Sequence, residues 1–170
     1  MRQAARLMFW GLLLWGFDFS LNGLNLLPDW LGYLLQAKGC RRADSQSAAF
    51  GKAHQFSLAL AALWVVQWLT VAPIAELAEY AMRVLECVAV WWLLTGVAEA
   101  YGRADRPDLA SLCLKARVPY VALRGTLLLA HFAKNQGAIS FVPLFVIVVA
   151  MVAMHCVTMY LVWQARQIPS

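Results

Sequence analysis

Glu76, Glu79, Arg83 and Glu86 recur at spacings of three, four and three, which on a helix makes one stripe of charge. Within it, Glu79 and Glu86 are each spaced to pair with Arg83. A second stripe holds Arg117, Tyr120, Arg124 and His131, and a third holds Asp18, Asn22 and Asn25. Met151, Met154, His155 and Thr158 share a further face, and Trp64, Gln67 and Thr70 a weaker one. Carboxylates, guanidiniums, amides and an imidazole of this kind can hold an anionic or zwitterionic solute, or pass a proton. The candidate ligand- or ion-binding set is therefore Asp18, Asn22, Asn25, Glu86, Arg124 and His155. Two plainer readings stand beside it: an intramembrane Glu–Arg pair can serve only to fix helix register, and interior histidines usually just hydrogen-bond.

Other chemistry finds little support. The chain has no HExxH, GxSxG or phosphatase-like cluster, no Walker-type phosphate loop and no nucleic-acid module, so no catalytic residue is expected. Cys40, Cys87, Cys113 and Cys156 form no CxxC pair and read as unlinked thiols. His155, Cys156 and Cys87 make a poor metal set, because adjacent helical residues diverge by about 100°. No cofactor and no metal are expected.

The elements that must position these groups are membrane helices. The sequence is 62% hydrophobic and 14% charged, with nine acids against fourteen bases, and its mean hydropathy is +0.64. A soluble domain needs more charged surface than that. Four runs approach the roughly 20 residues that cross a hydrocarbon core of about 30 Å: 56–73, 78–100, 118–133 and 140–163. The start, MRQAARLMFWGLLLWGF, resembles a signal peptide but lacks a small-x-small cleavage site, so it is read as a retained membrane segment. Lys38, Arg41, Arg42 and Lys52 fall in one basic stretch, Arg103, Arg106, Lys115 and Arg117 in another, and Arg166 near the C-terminus. By the positive-inside rule these stretches and the C-terminus face the cytoplasm.

Residues 7–37 pose a parity problem, since Arg2 and Arg6 precede them and the basic stretch follows. Leu7–Phe17 makes only about 17 Å of helix and Trp30–Ala37 about 12 Å. A short or re-entrant helical hairpin satisfies the charges. Its turn would be DFSLNGLNLLPD, with Asn22-Gly23 turning, Pro28 stopping the helix pattern and Asp29 capping the returning helix. The rival is a single crossing over Leu7–Leu27, which leaves Arg2 and Arg6 outside. The expected fold is thus all-α: one transmembrane domain over 1–170, a polytopic bundle of four full spans plus the N-terminal hairpin.

Leu27, Pro28, Asp29, Trp30, Gly32 and Tyr33 resemble a Leu-Pro-Asp-(Phe/Trp)-x-Gly-Tyr pattern near the start of small bacterial integral membrane proteins. The likeness covers about 25 residues. It implies a multi-pass protein of the bacterial cytoplasmic membrane and brings no activity with it.

A charge at mid-membrane costs about 2.5–3.5 kcal/mol on insertion. Glu86 and Arg124 lie within about 1.5 Å of the same depth when counted from the outer ends of their spans. They are expected to form an interhelical ion pair. Three functions remain open. One is a small transporter or ligand-binding membrane protein, and another a non-catalytic accessory or scaffold subunit of a larger complex. A lipid-acting enzyme is the third and weakest. The expected partners are the bilayer itself and either a second copy or a membrane complex, with no nucleic acid.

Overall fold

The computed structural model describes residues 1–16, 20–21, 24–25, 29–69, 72–135 and 141–168. Among them are six α-helices: α1 (Arg2–Gly16), α2 (Asp29–Ala43), α3 (Ala48–Leu69), α4 (Ala72–Arg103), α5 (Pro107–Asn135) and α6 (Phe141–Gln164). Between α1 and α2, β1 (Ser20–Leu21) pairs antiparallel with β2 (Leu24–Asn25), with Ser20 opposite Asn25 and Leu21 opposite Leu24. This two-rung ladder is the one departure from an all-α fold among the described residues.

Each helix packs on the next in sequence, and α6 returns to pack on α1, so the six form a ring. Neighbours run antiparallel. Gly11 meets Gly32 while Met8 meets Gly39, and Arg117 meets Thr95 while Arg124 meets Glu86. The ring therefore has two distinct ends. Only Arg83, Arg124 and Lys134 of the fourteen bases fall toward the end where α2, α4 and α6 begin.

Among the described residues, three helices are long and apolar enough to cross a membrane: Ala48–Leu69, Leu77–Arg103 and Pro143–Gln167. α5 has the length, at 29 residues, but carries Lys115, Arg117, Arg124 and Lys134 along it and does not join them. Large apolar side chains on the outside of the ring, such as Trp68, Leu129 and Val146, are more than half exposed, as a lipid-facing surface requires.

Helix ends differ from those expected for several spans. α3 stops at Leu69, and Pro73 lies in the first turn of α4 rather than closing the span before it. Proline fits there because a first-turn N–H has no partner within the helix. The basic stretch that holds Arg106, Lys115 and Arg117 is mostly helix. Pro107 opens α5, which runs unbroken past Pro119. Likewise α2 continues through Lys38, Arg41 and Arg42. Charges mark where a helix leaves the apolar layer, not where it ends. Ser47 starts α3 by accepting the Ala49 N–H at 3.0 Å, and donates to Glu99 on α4 at 2.6 Å.

The α1–α2 pair is held by close backbone approach. A Cβ on Gly11 would lie 2.7 Å from both the Gly32 carbonyl oxygen and the Gln36 nitrogen, and one on Gly32 would lie 2.9 Å from the Gly11 carbonyl oxygen. Only glycine admits that contact. It brings the Trp15 indole within reach of Gln36, to which it donates at 2.7 Å.

Candidate functional site

At the end of the ring poor in bases, α1 and α3 finish while α2 and α4 begin. A cavity of about 370 Å³ opens there. α4 supplies its most polar wall, Glu79, Arg83 and Glu86 with Met82 between, which are three of the four charges in the stripe read from the sequence; the Glu76 side chain lies outside the described residues. Trp15 and Gly16 face it from α1, Asp29 and Tyr33 from α2, Trp64 and Gln67 from α3, and Arg124 from α5.

Its charges sit at two depths. Near the mouth, Arg83 Nη2 lies 2.9 Å from Glu79 Oε1, and the two side chains are 48% and 41% exposed. Deeper, Arg124 Nη1 lies 3.0 Å from Glu86 Oε2, with exposures of 13% and 9%. The first pair is screened by solvent and adds little stability. In the second, both groups are largely withdrawn from solvent, so each needs the other to offset its lost hydration.

Tyr33 completes the inner pair by donating its hydroxyl to Glu86 Oε1 at 2.6 Å. Glu86 Oε2 lies within ion-pair distance of the guanidinium, yet no N–H points along that line. That oxygen and Arg124 Nε are both buried without a directed hydrogen bond. Above the guanidinium lies the Trp15 ring, 5.5 Å from the Arg124 carbon. Trp15 also packs on Tyr33, with ring centres 5.7 Å apart.

Behind Trp15, His155 ties three helices together. Its Nε2 lies 3.0 Å from the Leu12 carbonyl oxygen, and its Nδ1 3.3 Å from the Tyr120 hydroxyl. A carbonyl can only accept, so Nε2 bears the hydrogen and Nδ1 accepts from Tyr120. Gly16 leaves room for this ring: a Cβ there would fall 1.9 Å from His155 Nε2. His155 is thus a clasp between α6, α1 and α5, joined to the site through Trp15 and not part of its lining.

Of the sequence candidates, Glu86 and Arg124 come together as depth and spacing required, and His155 stands behind them. Asp18, Asn22 and Pro28, and the Asn25 side chain, lie outside the described residues. Asp29 is the first residue of α2 and faces the cavity. Tyr33, Trp15 and Gln36 were not singled out as site residues. The available signal was Asp29 to Tyr33, a spacing of four that puts both on one helical face.

Cys40 and Cys113 are free thiols buried in α2 and α5. Burial raises both above their ordinary value, Cys113 to about 12. Among the described residues no three His, Cys, Asp or Glu side chains gather as a metal site would need. Compared with protein-family models, curated proteins and solved structures, the chain matches none.

Proposed function

We propose that this chain is a multi-pass protein of the bacterial cytoplasmic membrane that takes a small polar solute into the Glu86–Arg124 cavity from the outer side. It would act as a small transporter or a ligand-binding membrane protein. The observation that carries this reading is the buried Glu86–Arg124 pair lining an open cavity. A pair that only fixed helix register would be expected to pack against side chains on every side.

The topology that goes with it has four crossings, by α3 to α6, and an α1–α2 hairpin that enters without crossing. Each hairpin helix is 15 residues, about 22 Å. α4 ends at the base-rich end and α6 begins at the other, which supports α5 as the return crossing despite its charges. Arg124 faces Glu86, so the charge that weakens α5 as a lipid-soluble segment points into the ring. The positive-inside rule then puts the base-rich end and the C-terminus in the cytoplasm, and the cavity mouth outside.

Gln67 lines the cavity and is half-buried. In intact cells, Gln67→Cys should react with a membrane-impermeant maleimide added outside. Proteoliposomes given labelled amino acids, organic acids and amines should accumulate or bind one of them. That signal should vanish in Arg124→Ala and persist in Arg106→Ala, whose side chain lies on the surface near Asp108. An unreactive Gln67→Cys with no bound solute would sink the reading.

The scaffold reading has one observation in its favour. Tyr33 and Arg124 already answer the two oxygens of Glu86 from within the chain. Co-purification with a stoichiometric partner, with function intact after Arg124→Met, would favour it.

A further inference from the structure

The cavity floor holds a buried ion pair whose hydrogen bonding is incomplete. Glu86 Oε2 keeps its ion-pair contact with Arg124 Nη1 at 3.0 Å, yet neither that oxygen nor Arg124 Nε has a directed hydrogen bond among the described residues, and both belong to residues that line the cavity. Glu86 as a whole is 7% exposed. Leaving such groups unpaired costs free energy, and more when they are charged. A solute in the cavity toward which the two side chains turn would recover part of it.

Charge narrows what that can be. Four of the ionic groups on the wall are arranged as two Glu–Arg pairs, Glu79–Arg83 at the mouth and Glu86–Arg124 at the floor. A lone cation drawn to Glu86 meets Arg124 within a few Å, and a lone anion drawn to Arg124 meets Glu86. A solute carrying both charges can lie antiparallel to the pair and gain at each end. Trp64 and the buried Met82 on the same wall would contact its hydrocarbon. The volume of about 370 Å³ lies within the range of small-molecule sites.

Resting on the solute-binding reading above, we propose that the ligand is a small zwitterion: its ammonium lies against the Glu86 carboxylate and its oxyanion against the Arg124 guanidinium. A free α-amino acid carries this chemistry, and so does the ethanolamine-phosphate headgroup of a lipid.

The test uses the full chain, purified in a zwitterion-free detergent, and measures binding by calorimetry and by shift in unfolding temperature. L-Leucine and glycine stand for the free amino acid, and phosphoethanolamine for the headgroup. 3-Methylbutylamine and 4-methylpentanoate are leucine with one charge removed. At least one zwitterion should bind saturably, about tenfold or more tighter than either single-charge compound, since each carries only one of the two ionic contacts. Leucine or glycine binding with phosphoethanolamine inert assigns the free amino acid, and the reverse assigns the headgroup. Arg106→Gln, on the surface beside Asp108 and away from the cavity, should retain the preference for two charges. Equal binding by a single-charge compound overturns the zwitterion while leaving a solute site in place. So does a cavity that Gln67→Cys shows to be open but that binds no zwitterion.

Discussion

Glu86 is where three helices agree on one carboxylate, with Tyr33 on one oxygen and Arg124 on the other. Removing one partner of a buried ion pair strands the other, at about 3–5 kcal/mol, while replacing both by apolar groups can be far milder. Glu86→Leu and Arg124→Leu should therefore each destabilise strongly, and the double variant should cost less than the sum of the two. A double-mutant cycle on detergent unfolding curves reads this, and strict additivity would mean that the two groups do not interact. Gly16→Ala should be damaging out of proportion to one methyl group, because the new Cβ occupies the place of His155 Nε2. Gly16→Ala combined with His155→Ala should regain part of the loss on the same curves. The buried Cys113 thiol, raised to about 12 from 9.0, stays protonated in the fold. What that contributes to stability is fully present below pH 9 and falls away as pH climbs toward 12. Maleimide labelling of Cys113 in folded protein should consequently stay low from pH 7 to 9 and rise only on unfolding.

Helix by helix, the sequence revealed faces better than it revealed ends. The stripe Glu79, Arg83, Glu86 was legible because a spacing of three and four fixes a face wherever the helix starts. The same arithmetic, run as depth, paired Glu86 with Arg124 across two helices. The basic stretch with Lys38, Arg41 and Arg42 marks an exit from the apolar layer but not the end of a helix, since α2 runs on through all three. Nor does periodicity name a neighbour, so the Gly11–Gly32 contact and the Trp15–Gln36 bond were invisible until the hairpin was seen closed. That contact makes its own prediction. Gly32→Val should push α1 off α2 at a cost of about 3 kcal/mol, since the obstruction is backbone and cannot rotate away. Loss of the Trp15 fluorescence environment at lower denaturant would register it, and an unchanged midpoint would refute the close approach.

The whole molecule is a ring with unlike ends. Bases crowd one, while the cavity with Asp29, Glu79 and Glu86 occupies the other. Orientation should follow this asymmetry, so a C-terminal fluorescent fusion should mature in the cytoplasm while a C-terminal alkaline phosphatase fusion stays inactive. The opposite result would turn the cavity mouth inward and send its solute from the cell. The all-α class and the membrane habit could be read from composition alone. The ring could not, because its closing bond, from His155 to the Leu12 carbonyl, joins the last helix to the first.

The Tyr33–Glu86 bond also has a meaning in time. A ribosome adds about 5–20 residues each second, so Glu86 reaches the bilayer seconds before Arg124 does. Tyr33 precedes both, and is the partner that can give the newborn carboxylate a neutral donor during that interval. Its hydroxyl is a chaperone of one atom, and Tyr33→Phe should show first in the yield of nascent chains that escape proteolysis.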